Sequence, residues 1–437
     1  MDDDMTPIGG SARFGRPYFR IGAVVVLGAS ILAAGILGPR PAPSPTSSPK
    51  PSLVARNPSP PAPSIASSPS TVERTAKGIE ALNGLARVVP PAGQLGTTWL
   101  PGHITSGSMA AVGTRLFFIT GGDQIQSTDV RSNGDVRELV GVPACQGINQ
   151  LAAAGHELAY VVTSPGGPTS QVNDCGGAGK VSWSVWLVDL NGGSPRRVAG
   201  GIRTATSIDV SEFPIHLALT DTAYAFDRPP ASAATLGETV EVHALDGRLL
   251  WTSRTDQAVA DVMLGGGTLA ILTDVFAHAT GVANLYTSDA VHPDPVPVGQ
   301  AARSASLSPD GTHLTWEVAF QPPFPGPDPR DVVIETVDSG SEMPVLALTD
   351  GDAPAPLRPT VLSTKRGLIV TWFATTSDGA VHPAVRYAAG GNGAFLPSLQ
   401  EPVWMSVQGN TLLWVAESAD GWSKVAFAVD LASLGLS

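Results

Sequence analysis

Two cysteines, Cys145 and Cys175, are the side chains whose type and spacing offer this chain a covalent bond. Outside the cytoplasm the pair would form a disulfide; free buried thiols and a metal site are the alternatives. The disulfide would close a loop of about 30 residues, worth roughly 3.5 kcal/mol in the chain-entropy treatment. Other chemistry is hard to find. The sequence has no Gly-x-Ser-x-Gly elbow, no HExxH, no paired CxxC, no EF-hand loop and no glycine-rich phosphate loop. The eight histidines are scattered, and each reads as a polar surface residue rather than a ligand. The acidic residues are dispersed, so spacing assigns no acid–base pair. No cofactor and no metal is implied. A net charge of −12 argues against a nucleic-acid partner, which needs clustered Lys and Arg; solubility is its plain reading.

The elements that must position any site are strands. Gly and Pro are abundant, at 48 and 39 residues, and helical periodicity is nearly absent. Many short apolar runs between turn signals mean an all-β chain. Ser306 to Val318 shows the unit: strand, Ser-Pro-Asp-Gly turn, strand. Pro309 presets φ, Asp310 bonds back to the backbone and Gly311 takes positive φ. Leu314, Trp316 and Val318 then alternate with His313, Thr315 and Glu317.

The turn recurs. Gly, two residues, then Leu opening an apolar strand occurs at Gly113/Leu116, Gly155/Leu158, Gly266/Leu269, Gly311/Leu314 and Gly409/Leu412. Two of the gaps leave room for another copy, and the degenerate FPIHLAL (Phe213 to Leu219) and KRGLIV (Lys365 to Val370) fill them. Seven units of roughly 50 residues match the blade period of a β-propeller. Six or eight blades result if a degenerate copy is misread. Each blade should hold four antiparallel strands, a to d, from the axis outwards. Blades 1 to 3 then lie between Ile104 and Ser253, with Asn133-Gly134, Gly192-Gly193 and Asp246-Gly247 at their c–d turns. Blade 4 is Val259 to Val298, blade 5 Ser304 to Leu348 and blade 6 Pro359 to Leu396. The last blade, Val403 to Leu431, has three obvious strands, and Ala86 to Leu100 is expected to supply the fourth. Continuous apolar runs such as LIVTWF (Leu368 to Phe373) fit strands covered on both faces by neighbouring blades.

VDLNGGSPRRV (Val188 to Val198) and LSPDGTHLTW (Leu307 to Trp316) resemble the repeat of TolB-like, WD-repeat-like propellers. VHALDGRLLW (Val242 to Trp251) is similar to the quinoprotein-type blade, in which a Trp docks between blades. Both resemblances imply the fold and no activity. SPDGTHLTW also approaches the turn of sialidase-type propellers. There Gly311 follows Asp310 at once, which is the wrong spacing, and the chain is poor in arginine. Without the nucleophile elbow and a second α/β domain, a propeller-bearing serine peptidase is disfavoured too.

Ahead of the propeller, residues 1–20 read as a short cytoplasmic N-terminus. Residues 21–38 are an uncharged, mostly apolar stretch at the lower limit for a membrane-spanning helix. Arg13, Arg16 and Arg20 precede it, which keeps the N-terminus in the cytoplasm and sends the rest across. A cleaved signal peptide and a buried core helix are the other readings. Residues 39–70 are a Pro/Ser-rich spacer that cannot bury enough surface to fold. Residues 71–85 suggest a short amphipathic helix, with Ser70 and Glu73 at capping-box spacing and Val72, Ala76, Ile79 and Leu82 on one face. It packs on the propeller or binds a partner. The propeller occupies residues 86–437.

In this register Cys145 enters blade 2 and Cys175 lies in its b–c loop, two positions on one face. The long insertions are b–c loops as well, crowding one rim and the mouth of the channel. Phe320, Phe324, Arg228, Arg330, His278 and Asp328 are the candidate contact residues there; plain tolerated insertions are the alternative. The expectation is a single-pass membrane protein with its propeller outside the cytoplasm, acting as a non-catalytic binding or scaffold module for a protein, peptide or glycan. The alternative is a propeller enzyme, a lyase, hydrolase or quinoprotein-like oxidoreductase, with its site over the channel.

Overall fold

The structure is a computed structural model. It describes residues 85–436 except 91–93, 102–103, 133, 165–179, 205–214, 229–236, 274–283, 301, 320–329, 338–340, 350–358, 376–379, 389–392, 397–401 and 419–422. The anchor and spacer expected at residues 21–38 and 39–70, and all but Leu85 of the expected helix, lie outside the described residues. Among the described residues no helix is long and apolar enough to cross a membrane.

Seven sheets form; blades 1 to 5 are four-stranded antiparallel meanders in the order a-b-c-d, and blades 6 and 7 each add a strand from the N-terminal segment. Blade 1 is Ile104–Val112, Arg115–Thr120, Gln124–Asp129 and Arg137–Gly141. Blade 2 is Gly147–Ala154, Glu157–Thr163, Lys180–Asp189 and Arg196–Thr204. Blade 3 is Leu217–Leu219, Ala223–Arg228, Thr239–Ala244 and Leu249–Arg254. Blade 4 is Val259–Gly265, Thr268–Thr273, Asn284–Asp289 and Val296–Gln300. Blade 5 is Ala302–Leu307, His313–Ala319, Arg330–Thr336 and Ser341–Thr349. Blade 6 is Thr360–Thr364, Gly367–Thr375, Val381–Tyr387 and Gly393–Phe395. Blade 7 takes Pro402–Gln408, Thr411–Glu417 and Lys424–Asp430 from the C-terminal end of the chain.

The recurring turn glycines behave as their spacing requires. Gly113, Gly155, Gly266, Gly311 and Gly409 all have φ between 52° and 74°, a region that costs other residues a steric penalty. In blades 1, 2 and 7 the loop has two residues, with the positive φ at the first, the pattern of a hairpin turn matched to strand twist. In the Ser-Pro-Asp-Gly turn, Gly311 N–H donates to Ser308 O at 2.8 Å, and Asp310 Oδ1 accepts from Thr312 N–H at 3.1 Å. Blade 3 departs from the expectation. FPIHLAL does not hold a turn and strand b; its last three residues are strand a, and the turn follows at Thr220. With no glycine there, Thr220 does the work, its Oγ1 accepting Ala223 N–H at 3.1 Å.

The ring closes through the N-terminal segment. Gly96–Leu100 is the outer strand of blade 7, antiparallel to Lys424–Asp430. The segment expected to supply that strand therefore divides in two. Its first part, Ala86–Arg87, adds a fifth strand to blade 6, parallel to Gly393–Phe395. Val88 N–H extends that contact to Phe395 O at 3.0 Å. Arg131 of blade 1 forms an ion pair with Asp430 of blade 7 across the closing seam.

Seven apolar clusters fill seven seams, one between each pair of neighbours. The parity of a strand b residue decides which seam it fills. Leu116 and Phe118 turn to blade 7, while Phe117 and Ile119 turn to blade 2. That is why RLFFIT is buried along almost its whole length instead of alternating. Trp251, on the outer strand of blade 3, packs against the cluster between blades 3 and 4, the docking that the quinoprotein-type resemblance implied.

Candidate functional site

A propeller has two rims. One carries the a–b turns, the other the b–c connections and the entries into each strand a. On the a–b rim of blades 5 and 6, Ser308 Oγ–H donates to Asp310 Oδ1 at 2.5 Å and Thr312 Oγ–H donates to it at 2.8 Å. Burial raises the Asp310 pKa, but these bonds and one from Ser363 outweigh it and hold the carboxyl down to about 2. His313 sits between Thr312 Oγ1 at 2.7 Å and Ser363 Oγ at 3.5 Å. The network ties a turn to its neighbour.

The sequence placed its candidate contacts on the opposite rim. Phe320, Phe324, His278 and Asp328 lie outside the described residues. Arg330 opens strand c of blade 5, its backbone paired with Ala319 and Thr349. Arg228 ends strand b of blade 3 and is engaged. Its Nη2 donates to Glu241 Oε2 at 3.1 Å and its Nε to Oε1. The guanidinium also lies 5.5 Å from the ring of Trp183 in blade 2. His243 shares Glu241 at 3.0 Å and stacks on Tyr224 at 5.2 Å. The hydrogen bond from His243 is the largest cause, with Arg228, that brings the Glu241 pKa down to about 2 against the pull of burial. Arg228 is thus a clasp between blades 2 and 3.

Cys145 lies exposed in the d–a connection into blade 2, as expected. Among the described residues it is the one non-glycine with positive φ, 72°, and there is no free cysteine. Cys175 lies outside the described residues.

Sequence reasoning missed a group of ionisable side chains on this rim. It lies in the seam between blades 3 and 4 and comprises His216, Asp227, Glu238 and Asp261. His216 directly precedes strand a of blade 3, and Asp227 is the next-to-last residue of strand b. Asp227 falls on the face of Ala223 and Ala225, turned to blade 4. Asp227 Oδ1 accepts the His216 backbone N–H at 2.5 Å, and its Oδ2 lies 3.3 Å from His216 Nδ1. Glu238 Oε2 accepts Val259 N–H at 2.7 Å, and Asp261 Oδ1 accepts Val262 N–H at 2.8 Å. Asp227 and Glu238 are only 2% and 6% exposed.

Burial works against a charge on His216, yet its pKa is raised, because Asp227, then Asp261 and Glu238, favour the imidazolium. Desolvation pushes the Asp261 carboxyl up, opposed by His216 and by its bond from Val262. Among the described residues no group of three or more His, Cys, Asp or Glu is placed to hold a metal ion. The signal available in the sequence was local: His in FPIHLAL, Asp in AYAFDR and Asp in VADVML are charges at positions where a seam strand should be apolar.

Polar pairs continue around the same rim. Asn149 Nδ2 donates to Thr163 Oγ1 at 2.8 Å in blade 2, and Ser304 Oγ donates to the buried Glu317 at 3.1 Å in blade 5. Thr360 and Thr371 hydroxyls meet at 2.6 Å in blade 6. Each pair joins strand a to strand b.

No protein-family profile and no curated protein matches the chain. Solved propeller structures are similar to it at low identity. One is the crystal structure of a mitotic checkpoint complex, with 10% identity and a TM-score of 0.48 over 78% of this chain and 95% of that one. Another is the β-propeller domain of the Trilobed protease from Pyrococcus furiosus, with 9% identity and a TM-score of 0.49 over 76% and 97%. A third is the Dos1 propeller, with 12% identity and a TM-score of 0.43 over 76% and 95%.

Proposed function

We propose that the chain is a membrane-anchored binding module whose TolB-like propeller stands outside the cytoplasm and takes a protein, peptide or glycan on its b–c rim. One observation carries this reading: the b–c connections are long in four consecutive blades and short in the others. They run from Thr163 to Lys180, Arg228 to Thr239, Thr273 to Asn284 and Ala319 to Arg330 in blades 2 to 5, but only from Thr120 to Gln124 in blade 1. The a–b turns opposite hold two residues in blades 1, 2, 4, 6 and 7. A scaffold with tight turns on one rim and extended connections over one sector of the other presents a one-sided contact surface. The apolar stretch at residues 21–38, the spacer at 39–70 and a Cys145–Cys175 disulfide belong to the same reading. Cys175 is the only other cysteine in the chain.

The test is photocrosslinking in intact cells from position 324, with the same chain carrying a Gly/Ser replacement of residues 321–329 as control. Capture of one partner that the replacement abolishes supports the reading. Equal capture by both chains, or none, sinks it. A reporter fused after Leu37 tests the topology; cytoplasmic activity there ends the anchor and the disulfide together.

The enzyme reading keeps one supporting observation, the His216–Asp227 pair beside Asp261. Each of the three carboxylates in that cluster is tied to a backbone N–H, as structural carboxylates are. Turnover of a glycan or quinone substrate by the full-length chain, lost in His216→Gln, would favour the enzyme.

A further inference from the structure

Lys424 and Arg115, two cations withdrawn from solvent, have their acceptors. Lys424 in blade 7 pairs with Glu417 at 3.0 Å. Arg115 in blade 1 donates to Ser127 Oγ at 3.1 Å and lies 5.1 Å from the ring of Phe117. Arg386, the next-to-last residue of strand c in blade 6, differs from both. It is half-buried, its Nε–H is shut off from solvent, and no acceptor meets that N–H among the described residues. Burial lowers its pKa, and no carboxylate among the described residues opposes that. A guanidinium left this way has lost water at one nitrogen and gained nothing in exchange.

The seam around it is short of acceptors at this end. Arg386 stands opposite Val370 and two residues from Ala384, so with them it faces the seam between blades 5 and 6. Trp372 shares that face, diagonal to Arg386 across the ladder of strands b and c. Trp372 is fully buried, and its Nε1–H also lacks an acceptor among the described residues. The carboxylate that blade 5 turns to the seam is Glu317, on the face of Thr315 and Ile334. It lies toward the b–c end of its strand, where it accepts Ser304 Oγ–H at 3.1 Å. Arg386 is at the other end, beside the c–d turn. Leu85 walls it there: a Cβ on Gly393 would stand 2.7 Å from Arg386 Cβ and 2.3 Å from Leu85 Cδ2.

Charge nearby has one sign. The described residues of blade 6 include Lys365, Arg366 and Arg386 but no Asp or Glu, in a chain whose net charge is −12. Lys365 and Arg366 are exposed in the a–b turn, on the same rim as the c–d turn.

We infer that Arg386 anchors a carboxylate-binding site at the c–d end of the seam between blades 5 and 6, with the buried Trp372 N–H as its second donor and Leu85 as its apolar wall. A carboxylate suits it because one partly buried cation is balanced by one negative charge, and because the planar guanidinium matches two carboxylate oxygens. Lys365 and Arg366 raise the local concentration of anions at that rim. The site lies away from the b–c rim and does not depend on what binds there.

The probe is acetate, added to the full-length chain at constant ionic strength with chloride as the balancing ion. The readout is hydrogen exchange of strand Val381–Tyr387. At about ten times its half-saturating concentration, acetate should slow exchange there about tenfold, the linkage response to a ligand that binds the folded form alone. Arg386→Gln should abolish the response and Trp372→Phe should weaken it. A short Asp/Glu-rich peptide in place of acetate separates the sources: tighter saturation by the peptide points to a protein's side chain, tighter saturation by acetate to a small acid. A second measurement needs no ligand. Arg386→Met in chloride buffer should melt no lower than the unaltered chain, since the guanidinium it removes has no partner. A clear loss of stability there means that the charge is already paired, and it overturns the site. So does an acetate response that is absent, that survives in Arg386→Gln, or that inorganic phosphate exceeds.

Discussion

Gly266 and Gly311 meet backbone to backbone at the junction of blades 4 and 5. A Cβ on Gly266 would stand 1.7 Å from Asp310 O, and one on Gly311 would stand 2.1 Å from Gly265 O. Gly266→Ala should therefore cost about 3 kcal/mol or more, from the clash and the positive φ together, seen as a lowered denaturant midpoint. The Arg228 clasp is a milder case. Its guanidinium is 43% exposed, so solvent screens the pair and Arg228→Ala should cost only about 1 kcal/mol. The Glu241 contribution is whole above its ordinary value of 4.5 and disappears as pH falls through about 2. Acid titration of stability in Glu241→Gln against the unaltered chain checks this. The turn glycines were readable from spacing, because a two-residue hairpin states its demand within four residues. The His216 cluster was not, because His216, Asp227, Glu238 and Asp261 come from four separate segments. Only the assembled seam puts them together.

The closing strand Gly96–Leu100 alternates cleanly. Gly96, Thr98 and Leu100 are buried, and Thr97 and Trp99 are exposed. Leu100 is 3% exposed in the seam between blades 7 and 1, while Trp99 is 63% exposed. Leu100→Ala should cost about 3 kcal/mol and Trp99→Ala about 0.5 kcal/mol, although Trp loses far more atoms. Equal losses would mean that the strand does not sit in this register. That a strand would come from this region was legible in the three-stranded last blade. The parallel pairing of Ala86–Arg87 was not, since two residues carry no periodicity. The reading of FPIHLAL as turn and strand b failed for a related reason. A copy without its glycine has no fixed point, and the Thr220 turn that replaces it has a different signature.

Around the whole ring, the seven seams bury both faces of strand b, as in blades 1 to 4 and 7, so no blade is complete without two neighbours. Deleting residues 86–100 should remove the outer strand of blade 7 and the fifth strand of blade 6 together. The expected outcome is loss of a single cooperative unfolding transition by calorimetry, with blades 6, 7 and 1 affected first in hydrogen exchange. A deletion variant that still melts in one sharp transition would show that the ring does not depend on this segment. Blade number and order were legible because each blade repeats a local pattern. The contact surface was less so, because four of its six candidate residues lie outside the described residues, and Arg228 turned out to serve the packing.

The join between Gly96–Leu100 and Lys424–Asp430 also sets a schedule for synthesis. Gly96–Leu100 leaves the ribosome before any strand of blades 1 to 7 that it closes and has the last strand as its partner, so it must wait with a bare edge while more than three hundred residues are translated. At the usual pace of about 5–20 residues per second, that wait is on the order of tens of seconds. A chain that stalls before Lys424 ends as an open arc with an unpaired strand at each end, the kind of edge on which neighbouring nascent chains aggregate.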